Sequence, residues 1–329
     1  MPKFLIRRMG QDDSFAPVAD LLNTIRTEPT TSELLREEEE QVPPGKLHYN
    51  EAGELAGWDR PKWLAEDGKG NIVGFAMVSR APWTEPGLME FTLVIRPEVR
   101  GSGAGTALYD VTLQWAEEVK ASRLITLIRD QDESSVAFAN RRGYTAERHI
   151  FESVLDLSAF DGGGALFDSI GSAEQAGISF TTLADEPGEE SERKLYELYK
   201  ATEPDIPGYS GDYPWFEEWR KWTIGRAGVR PELVRIARDG DRFIGVATLL
   251  QNEQTGAMYH EYTGVLREYR CRRIALALKL LAVRRAMASG VPYLRTNNDS
   301  MNVPMLRINR DLIGFRAEPG MFKMVKKLR

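Results

Sequence analysis

The second half of this chain repeats the first, and that repeat limits its fold more than any other feature. Phe243-Ile-Gly-Val-Ala echoes Ile72-Val-Gly-Phe-Ala, which sets Gly245 171 residues after Gly74. Val265-Leu-Arg-Glu-Tyr-Arg270 echoes Ile95-Arg-Pro-Glu-Val-Arg100 at 170, and Leu278 falls on Leu108. Ile313-Gly314-Phe315 echoes Arg142-Gly143-Tyr144, again at 171. Three matches at a nearly constant offset, in one order of elements, imply duplication of a whole domain, because solenoid periods are far shorter. A length of 329 residues agrees with two domains of about 150 each. The composition turns to Gly and polar residues at Asp161-Gly162-Gly163-Gly164 and stays so to Gly177. The expected division is therefore a first domain over 1–160, a linker or exposed crossover over 161–177, and a second domain over 178–329.

Hydrophobic periodicity places the elements of the first copy. Lys3–Arg8 reads as a strand, followed by a helix from Asp12 with Phe15, Val18, Leu21, Leu22 and Ile25 on one face. The charged run Glu37–Glu40 reads as a solvated helix face. Pro61–Glu66 and Ile72–Arg80 flank Asp67-Gly68-Lys69-Gly70, a hairpin signal, and Leu88–Arg96 is a further strand. A helix is expected from Gly103, with Leu108, Val111, Trp115 and Val119 as its apolar stripe. Leu124–Ile128, Ser134–Arg142 and Tyr144–Leu157 follow as strand, helix and strand. In the second copy, Trp215, Trp219 and Trp222 are spaced to share one helix face and read as packing residues.

Composition narrows the function. A net charge of −6 argues against a nucleic-acid or anionic-membrane partner, both of which need a surplus of Lys and Arg. It allows a cationic acceptor such as an amine. One cysteine, Cys271, excludes an internal disulfide and a multi-cysteine zinc site. His48, His149 and His260 lack ligand spacing, so no metal is expected. The N-terminus turns polar too early for a signal peptide, and the apolar run Ile274–Val283 is interrupted by Lys279 and too short to span a bilayer. A cytoplasmic protein is expected.

The segment with chemical content is Arg100-Gly101-Ser102-Gly103-Ala104-Gly105-Thr106, between a strand and a helix. Its glycines allow a sharp turn and leave backbone N–H groups uncovered. At a helix N-terminus such groups suit a pyrophosphate, while a plain flexible turn also fits the pattern. A Walker loop is excluded because Gly105 is followed by Thr106-Ala107 instead of Lys-Ser/Thr. A dinucleotide fingerprint is excluded by Thr106, where a third glycine is required, and by the hairpins that precede the loop.

These residues resemble the GNAT acyltransferase superfamily, whose acetyl-CoA signature Arg/Gln-x-x-Gly-x-Gly/Ala is met by Arg100, Gly103 and Gly105. Val94-Ile95-Arg96-Pro97 is similar to that family's strand end, and Asp132 to Gly143-Tyr144 to its Asn…Gly-Phe segment. The second half, through Asp205-Ile-Pro-Gly and Arg295 to Leu306, is similar to tandem bacterial members. The resemblance implies an α/β fold, a mixed and mostly antiparallel central sheet flanked by helices, present as two tandem GNAT domains. It implies acetyl-CoA as cosubstrate, held by Val94, Ile95, Arg100, Gly101, Ser102, Gly103, Ala104, Gly105, Thr106 and Asp132, with the N–H of Val94 or Ile95 receiving the thioester oxygen. Asp132 reads equally as a helix N-cap. Glu90, ten residues before Arg100, is the candidate catalytic base, with an exposed strand-end carboxylate as the plainer reading. His260, 170 residues after Glu90, is its candidate counterpart.

Two departures matter. The family's usual tyrosine acid is replaced by Ala139 in the first copy and Asn309 in the second. Gly101 and Gly103 become Cys271 and Arg273, which suggests that the second loop is degenerate. The expected activity is acetyl transfer to a primary amine of a small molecule or peptide in a ternary complex, with no nucleic-acid or membrane partner; a homodimer is compatible with it. The alternatives are catalysis in the second domain, as in mycothiol-synthase-like proteins, and a non-catalytic acyl-CoA sensor or scaffold.

Overall fold

The computed structural model describes residues 4–26, 29–41, 45–82, 84–160, 164–209, 213–252 and 256–328. Lys3 and Asp161–Gly163, named in the sequence reading, lie outside them. The chain forms two compact units. Unit 1 comprises 1–147 and 321–329, and unit 2 comprises 148–320.

Unit 1 contains β1 (Leu5–Arg8), α1 (Ala16–Leu22), α2 (Ser32–Gln41), the short pair β2 (His48–Tyr49) and β3 (Leu55–Ala56), β4 (Lys62–Glu66), β5 (Ile72–Ser79), β6 (Leu88–Ile95), α3 (Ala104–Glu118), β7 (Arg123–Arg129) and α4 (Glu133–Asn140). The chain leaves unit 1 along β8 (Thr145–Asp156). Unit 2 continues with α5 (Gly164–Gln175), β9 (Ile178–Thr182), α6 (Glu189–Thr202), α7 (Phe216–Trp222), β10 (Val234–Asp239), β11 (Arg242–Gln251), β12 (Met258–Val265), α8 (Ile274–Ala288), β13 (Tyr293–Asp299) and α9 (Val303–Leu306), then a π-helical turn, Arg307–Ile313. β14 (Arg316–Lys327) returns to unit 1.

The sheet order of unit 1 is β1-β4-β5-β6-β7-β14, and that of unit 2 is β8-β13-β12-β11-β10-β9. Pairing within each unit is antiparallel except β6 with β7 and β12 with β13. The two copies have therefore exchanged their closing strands: Met321–Lys327, at the far end of the sequence, pairs with Arg129–Arg123 of the first copy, and Ile150–Asp156, which follows the first copy, pairs with Asp299–Tyr293 of the second. The segment 161–177 is not a bare linker, because α5 occupies most of it and buries Ile170 and Ala173.

The turn between β4 and β5 forms as its sequence implies, with Asp67 Oδ1 accepting from the N–H groups of Lys69 (2.8 Å) and Asn71 (2.9 Å). The buried stripe of α3 is rotated from the expected one. Leu108, Tyr109, Thr112 and Ala116 face the core, while Val111 is exposed. Two of these residues are polar but satisfied: Thr112 Oγ1 donates to Leu108 O at 2.9 Å, and Tyr109 receives Lys326 Nζ at 2.8 Å. Of the three tryptophans, Trp219 is buried and Trp215 exposed.

Gly74 sets how closely α3 lies on the sheet. A Cβ there would sit 2.6 Å from Ile95 Cδ1 and 2.9 Å from Leu108 Cδ1. Gly245 makes the same approach in unit 2, at 3.0 Å from Leu278 Cδ1 and 3.3 Å from Val265 Cγ2. Gly74→Val is expected to cost about 1–3 kcal/mol through overpacking; an unchanged urea midpoint would show that α3 tolerates displacement.

Candidate functional site

The site of unit 1 begins where two strands separate. β6 and β7 run parallel, and their pairing ends at Glu90 with Ile125 although β6 continues to Ile95 and β7 to Arg129. The Arg96 N–H donates to Val73 O at 2.9 Å. Donors alternate along a strand, so Val94 also turns its N–H toward β5, whereas Leu93 and Ile95 turn theirs toward the edge that β7 has left. Of the two expected donors, Ile95 faces the opening.

Beyond β6 the chain enters α3 through Gly101 (φ 77°) and Gly103 (φ 101°), both left-handed. A Cβ at either glycine would meet nothing within 4 Å, so the ground in front of the loop is open. The N–H groups of Ala104, Gly105 and Thr106 in the first turn of α3 have no intrahelical acceptors. Ser102 Oγ turns back to Val99 O. Arg100 Nη1 meets Asp132 Oδ2 at 3.1 Å. Asp132 caps α4, accepting from Ser135 N at 3.0 Å and from the Ser134 and Ser135 hydroxyls at 2.7 Å each. Partial burial would raise the Asp132 pKa, but these bonds and the Arg100 charge outweigh it and leave the group at about 2. Asp132 is thus a cap that also positions Arg100.

The sequence reading missed Arg142. Its Nη2 donates to Thr106 Oγ1 at 2.9 Å, and its guanidinium lies 3.4 Å from the Phe138 ring centre, which fixes a second cation beside the α3 N-terminus. The position just before Gly143 was the available signal, although its counterpart in the repeat is the buried Ile313.

Glu90 lies at the last β6–β7 pair. Its side chain is exposed, yet the surrounding protein raises its pKa above the ordinary carboxylate value, with Lys323 and Arg60 opposing. The Tyr144 hydroxyl is buried and its pKa is raised by desolvation, so it stays protonated. Ala139 is buried and brings no acid.

Unit 2 repeats this frame with altered chemistry. β12 and β13 part after His260 and Thr296. The loop keeps its backbone, because Cys271 (φ 63°) and Arg273 (φ 60°) adopt the left-handed form that costs non-glycine residues about 1 kcal/mol or more each. Arg270 Nε donates to Val265 O at 3.0 Å, as Arg100 Nε reaches Ile95 O at 3.5 Å. The substitutions expected to make this loop degenerate have left its path unchanged.

His260 is not the counterpart of Glu90. A bulge at Glu261 shifts the register, so that Thr248 faces Tyr262 while Leu249 faces His260. Met258 pairs with Leu294 as Met89 does with Leu124, which makes Tyr259 the structural equivalent of Glu90. His260 turns into the core, is 2% exposed, and has its pKa driven well down by burial and then by Lys279.

The sequence profile of the Acetyltransferase (GNAT) family matches residues 20–144 and again 193–307. No match was found among curated protein sequences. A GCN5-related N-acetyltransferase from Sphaerobacter thermophilus superposes with a TM-score of 0.70 at 19% identity, over 100% of this chain and 97% of that one. A tandem GNAT protein from the clavulanic acid biosynthesis pathway gives 0.72 at 16% identity, over 98% of each chain. A glucosamine N-acetyltransferase region of a fungal β-N-acetylglucosaminidase gives 0.71 at 15%, over 98% of this chain and 38% of that one. At these identities the likeness is one of fold, and the two profile matches decide the assignment: the chain belongs to the GNAT acetyltransferase family and carries its domain twice.

Proposed function

We propose that the protein is an acetyl-CoA-dependent N-acetyltransferase whose unit 1 holds the thioester and transfers its acetyl group to a primary amine of a small molecule or peptide. The observation that carries this reading is the parting of β6 and β7 beside a glycine loop with two positioned arginines. The donors suit the cosubstrate: Arg100, Arg142 and the α3 N–H groups for its phosphates, and the Ile95 N–H for a carbonyl oxygen. Bound acetyl-CoA supplies an activated acyl group on a thiolate leaving group. Glu90 takes the proton that the acceptor ammonium must lose, since a free alkyl amine has a pKa of about 10.4. Tyr144 is too buried to serve as the acid.

The test is thiol release from acetyl-CoA across a panel of amines, amino sugars and peptide N-termini. Amine-dependent release supports transfer. Tight acetyl-CoA binding with no release from any acceptor would favour the acyl-CoA sensor.

A further inference from the structure

The second loop keeps the backbone path of the first, but its arginine is already engaged by a carboxylate from elsewhere. In unit 1, Arg100 meets one oxygen of Asp132, the cap of α4. The counterpart of Asp132 in the repeat is Asn302, an uncharged cap that accepts from Met305 N at 3.4 Å. Arg270 donates instead to Asp205, which arrives on the segment that follows α6. The same carboxylate receives Arg267, whose Nε lies 3.1 and 3.2 Å from its two oxygens. Arg267 stands where unit 1 has Pro97, so this second clasp belongs to unit 2 alone. The bond from Arg267 lowers the Asp205 pKa most, and with Arg270 it outweighs burial and leaves the group at about 2. Arg267 is 72% exposed at its side chain, and exposed pairs contribute about 1 kcal/mol or less each, so the clasp can open.

The segment Glu203–Tyr209 is fixed at three points around the parting of β12 and β13. At its root, Tyr262 donates to Thr202 Oγ1 at 2.7 Å, and a Cβ on Gly264 would lie 2.6 Å from that oxygen. The end of α6 therefore rests on β12 beyond the last β12–β13 pair. In the middle, Asp205 clasps the two arginines just past the end of β12. At the far side, Gly208 (φ 73°) lies against Arg148, where a Cβ would come 1.3 Å from Nη1. Arg148 is paired in turn with Asp299, the last residue of β13. The segment thus runs from the end of one parted strand to the end of the other.

We propose that Glu203–Tyr209 is an autoinhibitory strap, in which Asp205 serves as an internal anion on Arg267 and Arg270 and withholds the unit 2 loop from phosphate ligands. With the strap down, unit 2 does not fit the phosphates of an acyl-CoA, because a carboxylate already sits on the loop arginine. A tethered anion competes at an effective concentration on the order of millimolar, so a free phosphate ligand below that level does not displace it. The strap lies within unit 2, and its test does not depend on acetyl transfer by unit 1.

Cys271 supplies the readout, since it is the chain's one cysteine, is exposed, and adjoins Arg270. The test is the alkylation rate of Cys271 in the full-length protein, with and without millimolar inorganic pyrophosphate at constant ionic strength. In the wild type, pyrophosphate should change that rate by less than about twofold, and in Asp205→Asn it should slow it about fivefold or more, with the urea transition retained. Gly208→Ala, which forces the strap off Arg148, should give slowing between these two. Adding Arg270→Ala to Asp205→Asn should abolish the slowing. Strong protection of Cys271 in the wild type, or none in either strap variant, would overturn the proposal. Weaker protection in Asp205→Asn than in the wild type would also overturn it, by showing that Asp205 orients the arginines for the ligand.

Discussion

Lys279→Met should raise the stability of unit 2 by about 3–5 kcal/mol at pH 7, because it removes an amine buried with no acidic partner among the described residues. Lys279 lies on α8, is 2% exposed, and has its pKa lowered from 10.5 to about 7 by desolvation alone. Its counterpart in the repeat is Tyr109, whose ring buries with only a hydroxyl to satisfy. The sign follows from proton uptake. Between pH 10.5 and about 7 the unfolded chain holds a proton on Lys279 that the folded chain lacks, so stability falls as pH falls through that window. Below it the penalty is constant. The variant should lose this dependence, and its denaturation midpoint should change little from pH 7 to 10. It should also soften the acid loss of stability below about 6.5, where His260 resists protonation first through burial and then through the Lys279 charge. Equal midpoints for wild type and variant across this range would show that the Lys279 ammonium reaches water.

The second large effect is on turnover. Glu90→Gln is expected to lower kcat by about 10²-fold or more with a smaller change in acetyl-CoA affinity, since the group acts on the acceptor proton and not on the phosphates. The base must be ionised, and its pKa is raised by the protein around it. Activity in the wild type should therefore climb with pH through a limb above the ordinary carboxylate range, and that limb should vanish in the variant. A loss below tenfold, about 1.4 kcal/mol, would remove Glu90 from the mechanism.

Much of the fold was legible because the repeat fixed the architecture and local signals placed the strands. The parts that were not legible have identifiable causes. The offset between copies was read as 170 or 171, and the structure shows why it drifts. The connection from β11 to β12 is two residues shorter than that from β5 to β6, since Leu250 pairs with Tyr259 where Ser79 pairs with Glu90; an extra residue then enters at the Glu261 bulge, and another in the π-helical turn after Asn309. That turn keeps Asn309 matched to Ala139, since their carbonyls accept from Phe315 and Tyr144, while Gly314 still matches Gly143. Counting across the bulge assigned His260 to the wrong partner. The exchange of last strands is a long-range pairing with no local signature. Position 273 misled for a different reason. An arginine there argued for a lost loop, but φ is a property of the backbone path, and Arg273 takes the path of Gly103 at an energetic cost. Arg142 sits in the repeated Arg142-Gly143-Tyr144 segment, but its partners Thr106 and Phe138 meet it only once α3 and α4 are assembled.

The central claim is that the Arg100–Thr106 loop of unit 1 holds the acyl-CoA. The most direct measurement is acetyl-CoA titration of the wild type, Arg100→Ala and Arg270→Ala, read by calorimetry. The account gives a roughly 10–100-fold loss of affinity for Arg100→Ala, the scale of a lost charge-assisted bond to phosphate, and little change at the principal site for Arg270→Ala. Full affinity in Arg100→Ala, with the loss appearing in Arg270→Ala, would contradict it and move the cosubstrate to unit 2.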